Sequence, residues 1–79
     1  MDKTRILRLA EVRSAAVSGE ARRLRRGARL SIGEVASFCG VDQSTVWRWE
    51  NGTRAPRGDR ALQYADLLDS LRDQLKSAA

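Results

Sequence analysis

Histidine is absent from the sequence, and cysteine occurs once among its 79 residues. A zinc or other transition-metal site draws on several thiolate and imidazole ligands, so the sequence predicts no metal site. Cys39 has no partner for an internal disulfide, which is typical of a protein from a reducing, cytoplasmic setting. We interpret Cys39 as a small buried hydrophobic residue.

Long apolar runs are missing as well. A membrane-spanning helix needs about 20 predominantly apolar residues, and the N-terminus mixes charged with aliphatic residues, unlike a signal peptide. We therefore expect a soluble, cytosolic protein that does not contact a membrane.

The sequence also lacks the combinations of residues that are typical of an active site. A chain of 79 residues forms one modest core and leaves no room for a second lobe around a buried cleft. The sequence contains no evident pair of acids, no nucleophile beside a base and no glycine-rich phosphate loop. We predict that residues 1–79 form a single domain that is not an enzyme and needs neither a cofactor nor a small-molecule ligand.

Basic residues are abundant and unevenly placed. The formal net charge is +5, and 13 of the 15 basic residues are arginine. Residues 1–30 carry nine basic and three acidic groups, residues 31–57 three of each, and residues 58–79 three and four. The excess therefore lies in the N-terminal part and favours a polyanionic partner. The arginine-rich segment forms either a solvated helix face or phosphate contacts, the latter from Arg22, Arg26 or Arg29.

Hydrophobic spacing predicts helices in this N-terminal part. In residues 3–17, apolar side chains recur three and four positions apart, at Ile6, Leu9, Val12 and Ala16. This pattern indicates an amphipathic helix, which we treat as an extension over residues 1–18. Ser18-Gly19 either separates it from a second helix ending near Gly27 or kinks one long helix.

Two short helices are predicted in the middle of the chain. Ser31 and Glu34 have the spacing of a capping box, which places a helix start at this point. About two turns later, Gly40 can adopt positive φ, and Asp42 is a good N-cap for a second helix, Gln43–Glu50. Because the link is so short, the two helices are expected to cross at a steep angle.

The second of these helices carries two tryptophans two residues apart. At about 100° per residue, Val46 and Trp49 share one face, whereas Trp47 lies on the other. We predict that Trp49 is in the core and that Trp47 is displayed, either to contact DNA or to pack against Pro56 or the stem of Arg54. The displayed face suits the reading of base edges in a DNA major groove. Its members are Gln43, Ser44, Trp47, Arg48 and Asn51.

The C-terminal part predicts one long helix, over residues 57–76. Its apolar residues are spaced 3, 4, 3, 4 apart, at Ala61, Tyr64, Leu68, Leu71 and Leu75. The first of these are expected to close the core. Leu68, Leu71 and Leu75 are the predicted contact between two protomers of a homodimer, and the N-terminal helix is the alternative contact.

A set of positions in the middle of the chain has the spacing of a known motif. Ala36, Gly40, Val46 and Trp49 follow one another at +4, +6 and +3, together with Leu30, Ser31, Val35, Val41, Glu50, Gly52 and Pro56. In these positions the sequence resembles the lambda-repressor and Cro (XRE-type) family over about residues 20–68. The resemblance implies a compact all-α domain in which residues 31–50 form a helix-turn-helix, with Gln43–Asn51 as the recognition helix.

The resemblance also implies roles for individual side chains. Gln43, Ser44, Trp47 and Arg48 would contact bases, since glutamine can bond adenine at two atoms and arginine prefers guanine. Arg25 falls where the family has an arginine paired with the glutamate at Glu50, which implies an ion pair. Phosphate contacts are implied for Ser31, Thr45, Asn51, Thr53, Arg54 and Arg57.

One position departs from the family pattern. Many members carry a glutamine at the start of the first motif helix, where this sequence has Ile32 followed by Gly33. The side-chain contact of that glutamine to phosphate and to the recognition helix is therefore absent, and base assignments cannot be copied from other members.

We interpret the protein as a transcriptional regulator that binds a double-stranded DNA operator with sequence specificity. Its brevity and composition resemble small phage repressors and Cro-like proteins of high-GC hosts, which occlude promoters to control lysis and lysogeny. A homodimer is expected, in solution or only on DNA. The alternatives are an antitoxin or excision factor that binds DNA with a partner protein, and a protein-interaction module on the same fold.

Overall fold

The computed structural model describes residues 1–77, which form five helices and no strand. The all-α prediction is confirmed, and the last two residues of the predicted domain lie outside the described part. Within residues 1–77, no helix has the length and apolar character needed to span a membrane. The helices are α1 (Lys3–Ser18), α2 (Glu20–Gly27), α3 (Ile32–Cys39), α4 (Gln43–Glu50) and α5 (Gly58–Ser77).

A glycine separates the first two helices. Asp2 caps the start of α1, where its side chain accepts a hydrogen bond from the backbone N–H of Arg5 at 2.8 Å. Gly19 has a φ of 90° and follows the last residue of α1 directly, a conformation that side chains other than glycine's rarely allow. Residues 3–27 are therefore two helices with a sharp turn between them, and not one kinked helix.

One face of α1 is buried against the rest of the protein. Its centre lies among Leu9, Val12, Ala15 and Ala16, all at most 5 % exposed. Ile6 was expected on this face, but it is 51 % exposed. At 100° per residue, Ile6 lies about a third of a turn from the centre of the buried face, which explains the wrong prediction.

Ion pairs attach α1 and α2 to α5. Arg5 pairs with Asp59 at 3.0 Å, and Arg8 pairs with both Asp66 and Asp69. At the start of α2, Glu20 accepts two hydrogen bonds from Arg72 of α5, at 2.9 and 3.0 Å. Together with the buried face of α1, these contacts make the N-terminal helix an integral part of the fold instead of an extension.

The leucines of α5 belong to the core of the protomer. Leu68 is 2 % and Leu71 5 % exposed, so the prediction that they contact a second protomer is wrong. Leu75 is partly buried and reaches α2, where its Cδ1 lies 3.4 Å from the position that a Cβ on Gly27 would occupy. The absence of a side chain on Gly27 therefore lets the end of α5 approach α2.

The centre of the core joins α3, α4 and α5. The rings of Trp49 and Tyr64 stack with centroids 4.7 Å apart and an angle of 30° between their planes. Cys39 is completely buried, and burial raises the pKa of its thiol to about 11. The interpretation of Cys39 as a buried hydrophobic residue is confirmed.

The second helix ends at Gly27, as predicted, and an arginine closes it. Gly27 is the last helical residue, but the left-handed conformation that closes the helix is adopted by Arg29, at a φ of 61°. The backbone N–H of Leu30 donates to the carbonyl of Arg25, and that of Arg29 to the carbonyl of Arg26, both at 3.0 Å. These two bonds form a Schellman motif with an arginine where glycine is usual.

Candidate nucleic-acid interface

A capping box fixes the start of α3. The Oγ of Ser31 accepts from the backbone N–H of Glu34 at 3.0 Å, and the Oε1 of Glu34 accepts from the backbone N–H of Ser31 at 2.9 Å. The bond from the Ser31 backbone to the carboxylate is the main cause of a lowered pKa at Glu34. The predicted phosphate contact of Ser31 stays a prediction.

The link between α3 and α4 turns at Gly40, which has a φ of 73°. The backbone N–H of Val41 donates to the carbonyl of Ala36 at 3.0 Å and closes the C-terminus of α3. Ala36 and Val46 are both buried in the core that these helices share. The turn residue and the small residue on α3 together fix the direction in which α4 leaves the core.

Asp42 organises the start of α4 with one carboxylate oxygen. Its Oδ1 accepts from the Ser44 hydroxyl at 2.7 Å and from both the backbone N–H and the hydroxyl of Thr45 at 2.8 Å. These bonds, led by the one from Ser44, lower the pKa of Asp42 to about 2. Because the Ser44 hydroxyl donates its hydrogen to Asp42, its oxygen can only accept a further hydrogen bond. Thr45 gives both of its donors to Asp42, and its predicted phosphate contact stays a prediction.

The two tryptophans of α4 face opposite sides, as predicted. Trp49 is 3 % exposed and Trp47 is 52 % exposed. Pro56, one of the two packing partners considered for Trp47, is buried and instead lines a groove with Trp49 and Val17. Trp47 is therefore a displayed aromatic side chain on the outer face of α4.

Arg25 and Glu50 form the ion pair that the family resemblance implied. The Arg25 Nε and Nη2 donate to the two carboxylate oxygens of Glu50, at 2.6 and 2.9 Å, and its Nη1 donates to the carbonyl of Leu30 at 2.9 Å. The bonds to Glu50 raise the pKa of Arg25. One guanidinium thus joins α2, the end of α4 and the segment that leads into α3.

Four exposed arginines lie on α4 or in the groove beside it. Arg48, Arg54, Arg57 and Arg60 are all exposed, and none has a carboxylate within 4.0 Å in residues 1–77. Three of them, Arg54, Arg57 and Arg60, line one open groove beside Thr45. Sequence reasoning missed Arg60. Its signal is its place on the first turn of α5, three residues after Arg57.

A family model described as a helix-turn-helix domain matches residues 5–78. The chain belongs to this helix-turn-helix family, of the XRE or lambda-repressor-like type. No curated protein and no solved structure gives a significant match to the chain. In this helix-turn-helix DNA-binding domain, α3 and α4 are the two motif helices and α4 is the recognition helix.

The outer face of the recognition helix has unused hydrogen-bonding groups. Gln43, Trp47 and Arg48 are exposed, and the side-chain hydrogen bonds of residues 1–77 include none from these three. Their amide, indole and guanidinium groups are available to a ligand without breaking an internal bond. Contacts from these residues to bases stay predictions.

Two residues after the recognition helix act on its C-terminus. The Nδ2 of Asn51 donates to the carbonyl of Trp47 at 2.8 Å, and the Thr53 hydroxyl donates to the carbonyl of Arg48 at 3.4 Å. Both side chains therefore close the helix. Asn51 keeps one free N–H for the phosphate contact that was predicted, while the hydroxyl hydrogen of Thr53 already has an acceptor.

The N-terminal arginines contribute less free charge than their number indicates. Arg5 and Arg8 pair with acids of α5, and the Nε of Arg22 lies 3.5 Å from the Oε1 of Glu50. Arg26 and Arg29 remain exposed, and neither has a carboxylate partner in the described part of the chain. Exposed cations beside the recognition helix thus come from Arg48 on the helix and from Arg54, Arg57 and Arg60 in the adjacent groove, although residues 31–57 are formally neutral.

Proposed function

We propose that the protein is a transcriptional regulator that reads a double-stranded DNA operator through the outer face of α4. The observation that carries the proposal is the combination of unused hydrogen-bonding groups on that face with exposed arginines, Arg48 on the helix and Arg54, Arg57 and Arg60 in the groove beside it, that pair with no carboxylate within residues 1–77. Free hydrogen-bonding groups suit contacts to base edges, and exposed arginines suit contacts to phosphates.

The free groups fit distinct partners on the DNA. The two amide atoms of Gln43 match the N6 and N7 of adenine, and the Arg48 guanidinium matches the O6 and N7 of guanine. Ser44, whose hydrogen is on Asp42, would accept from an exocyclic amino group of adenine or cytosine. Trp47 would contact a thymine methyl group or a sugar.

Phosphates would be held around these base contacts. Arg54 and Arg57 supply charge after the recognition helix, and Ser31 offers its hydroxyl at the start of α3. Such contacts fix the register of a protein on DNA without carrying sequence information. This arrangement requires no catalysis and no cofactor, and we propose neither.

We further propose that the regulator is a repressor that acts by occluding a promoter in the bacterial cytoplasm. The family resemblance to small phage repressors and Cro-like proteins supports this role. A homodimer on the operator would use the exposed face of α1, the alternative contact recognised in the sequence. Support for this surface comes from Ile6, Leu7 and Val17, which are at least half exposed. Two half-sites would then lie about one helical turn apart.

The first test is the selection of bound sequences from a random duplex library, followed by affinity measurements for the winner at two salt concentrations. We expect an enriched motif and an affinity that falls steeply with salt. A palindrome would support the homodimer, and a short asymmetric motif would exclude it. If no motif is enriched, the proposed function is wrong, and an architectural or protein-binding role takes its place.

A further inference from the structure

Gly33 of α3 lies directly under the side chain of Gln43. If Gly33 carried a Cβ, that atom would lie 3.1 Å from the Nε2, 3.3 Å from the Cδ and 3.7 Å from the Cγ of Gln43. Apart from its chain neighbours and the adjacent backbone of α3, these are the three heavy atoms nearest to that position. The outer half of the Gln43 side chain thus rests on the bare backbone of α3.

The backbone at Gly33 does not itself require glycine. Its φ is not in the left-handed region, unlike those of Gly19, Gly40, Gly52 and Gly58. Within a helix, glycine is less stable than alanine because it loses more conformational freedom on folding. What a side chain at this second residue of α3 would meet is therefore the side chain of Gln43.

The amide of Gln43 lies beside Gly33 without an internal hydrogen bond. The hydrogen bonds of residues 1–77 include none from the Gln43 amide. Its N–H groups and its oxygen consequently keep their full capacity for an external partner. A contact that orients the amide without using its polar groups is suited to the reading of a base.

We infer that Gly33 is a positioning residue for base recognition, which sets the direction of the Gln43 amide by leaving room for it. This inference rests on the proposed function, in which Gln43 reads an adenine. A methyl group at residue 33 displaces the amide by a few tenths of an ångström or rotates it to another conformer. Either change misaligns a contact that needs two simultaneous hydrogen bonds.

The test in DNA compares Gly33→Ala, Gln43→Ala and the double variant on the selected operator and on every single-base variant of it. We expect Gly33→Ala to reduce discrimination at the base pair read by Gln43 by roughly tenfold, while the affinity for random DNA is unchanged. In the Gln43→Ala background, the same substitution should have no further effect. Ser37→Ala, at an exposed position later in α3, is the matched control and should discriminate at every base pair as the wild type does.

A second measurement needs no DNA. Alanine at residue 33 gains helix stability but meets Gln43, so Gly33→Ala should raise the melting temperature more in the Gln43→Ala background than in the wild type. Equal shifts in the two backgrounds would show that the two residues are not coupled and would overturn the inference.

The outcomes separate the inference from the proposed function. If Gln43→Ala relaxes one base position and Gly33→Ala does not, the inference is wrong and the proposed function stands. If the wild-type protein enriches no motif, the proposed function fails and the role of Gly33 in base recognition fails with it. If both single variants lose discrimination at the same base pair, and the double variant loses no more than Gln43→Ala alone, the inference and the proposed function are both supported.

Discussion

Arg25 and Glu50 are 25 positions apart in the chain and form a two-point ion pair, with Nε–Oε2 and Nη2–Oε1 distances of 2.6 and 2.9 Å. The side chain of Glu50 is 1 % exposed and that of Arg25 is 13 % exposed. The pair joins the end of the recognition helix to α2, so it fixes the recognition helix relative to the rest of the core.

Removal of one partner should destabilise the protein strongly. We expect Arg25→Ala to lower the free energy of unfolding by about 3 kcal/mol, because it leaves the Glu50 carboxylate buried beside only the more distant Arg22. Urea denaturation followed by circular dichroism measures this change. Arg22→Ala is the control and should lower the free energy of unfolding by less than about 1 kcal/mol, since the Arg22 side chain is 44 % exposed and lies 3.5 Å from Glu50. Similar losses for the two variants would contradict the central role of Arg25.

Replacement of Arg29 by glycine should stabilise the protein. Because Arg29 adopts a φ of 61° at the end of α2, we expect Arg29→Gly to raise the free energy of unfolding by about 1 kcal/mol. Arg29→Ala removes the same charge and keeps the strained backbone, so it should have little effect. Thermal denaturation of both variants separates the two causes, and equal stabilisation would attribute the effect to charge.

Local signals in the sequence were sufficient for the elements that position the interface. The Ser31–Glu34 capping box and the turn at Gly40 could be predicted because each depends only on residues that are close together in the sequence. The opposite faces of Trp47 and Trp49 follow from helix geometry alone. These signals located the recognition helix and its displayed face.

Features that depend on contacts between distant segments could not be read in the same way. The sequence count assigned the positive excess to residues 1–30, but Arg8 and its neighbours pair with acids of α5 that are more than 50 positions away. The helical spacing of Leu71 is the same for a core contact and for a contact between protomers, and only packing decides between them. Arg29 gave no signal, since arginine has no preference for positive φ.

Stability should fall at low pH through the cap of the recognition helix. The pKa of Asp42 is lowered from 3.8 to about 2 in the folded protein, so this group stabilises the fold above its unfolded pKa and loses that effect as the pH falls towards 2. Melting temperatures between pH 5 and 2 measure the loss. Asp42→Asn keeps a capping side chain that does not titrate and should reduce the slope of melting temperature against pH. An unchanged slope would exclude Asp42 as its source.

Arg48 should contribute to the choice of sequence. Arg48→Ala is expected to reduce affinity for the selected operator by about 1–3 kcal/mol and to relax preference at one base pair. Binding to the operator and to random duplexes, measured by fluorescence anisotropy, gives both quantities. An equal loss on the two kinds of DNA would falsify a base-reading role and assign Arg48 to phosphate.

Arg60 should contribute to affinity without affecting the choice of sequence. It lines the same groove as Arg54 and Arg57 and has no carboxylate partner within residues 1–77, so its charge is free to replace a counterion on a phosphate. We expect Arg60→Ala to weaken binding to all sequences alike and to reduce the slope of log affinity against log salt by about one.

The matched control for Arg60 is Arg5→Ala, which removes one charge from α1 that pairs with Asp59 at 3.0 Å. Both variants have the same net charge, so a general effect of charge would change their salt slopes equally. A direct contact changes only the slope of Arg60→Ala. If the two slopes agree, Arg60 lies outside the DNA interface, and the groove that it lines with Arg54 and Arg57 is not the phosphate-binding surface.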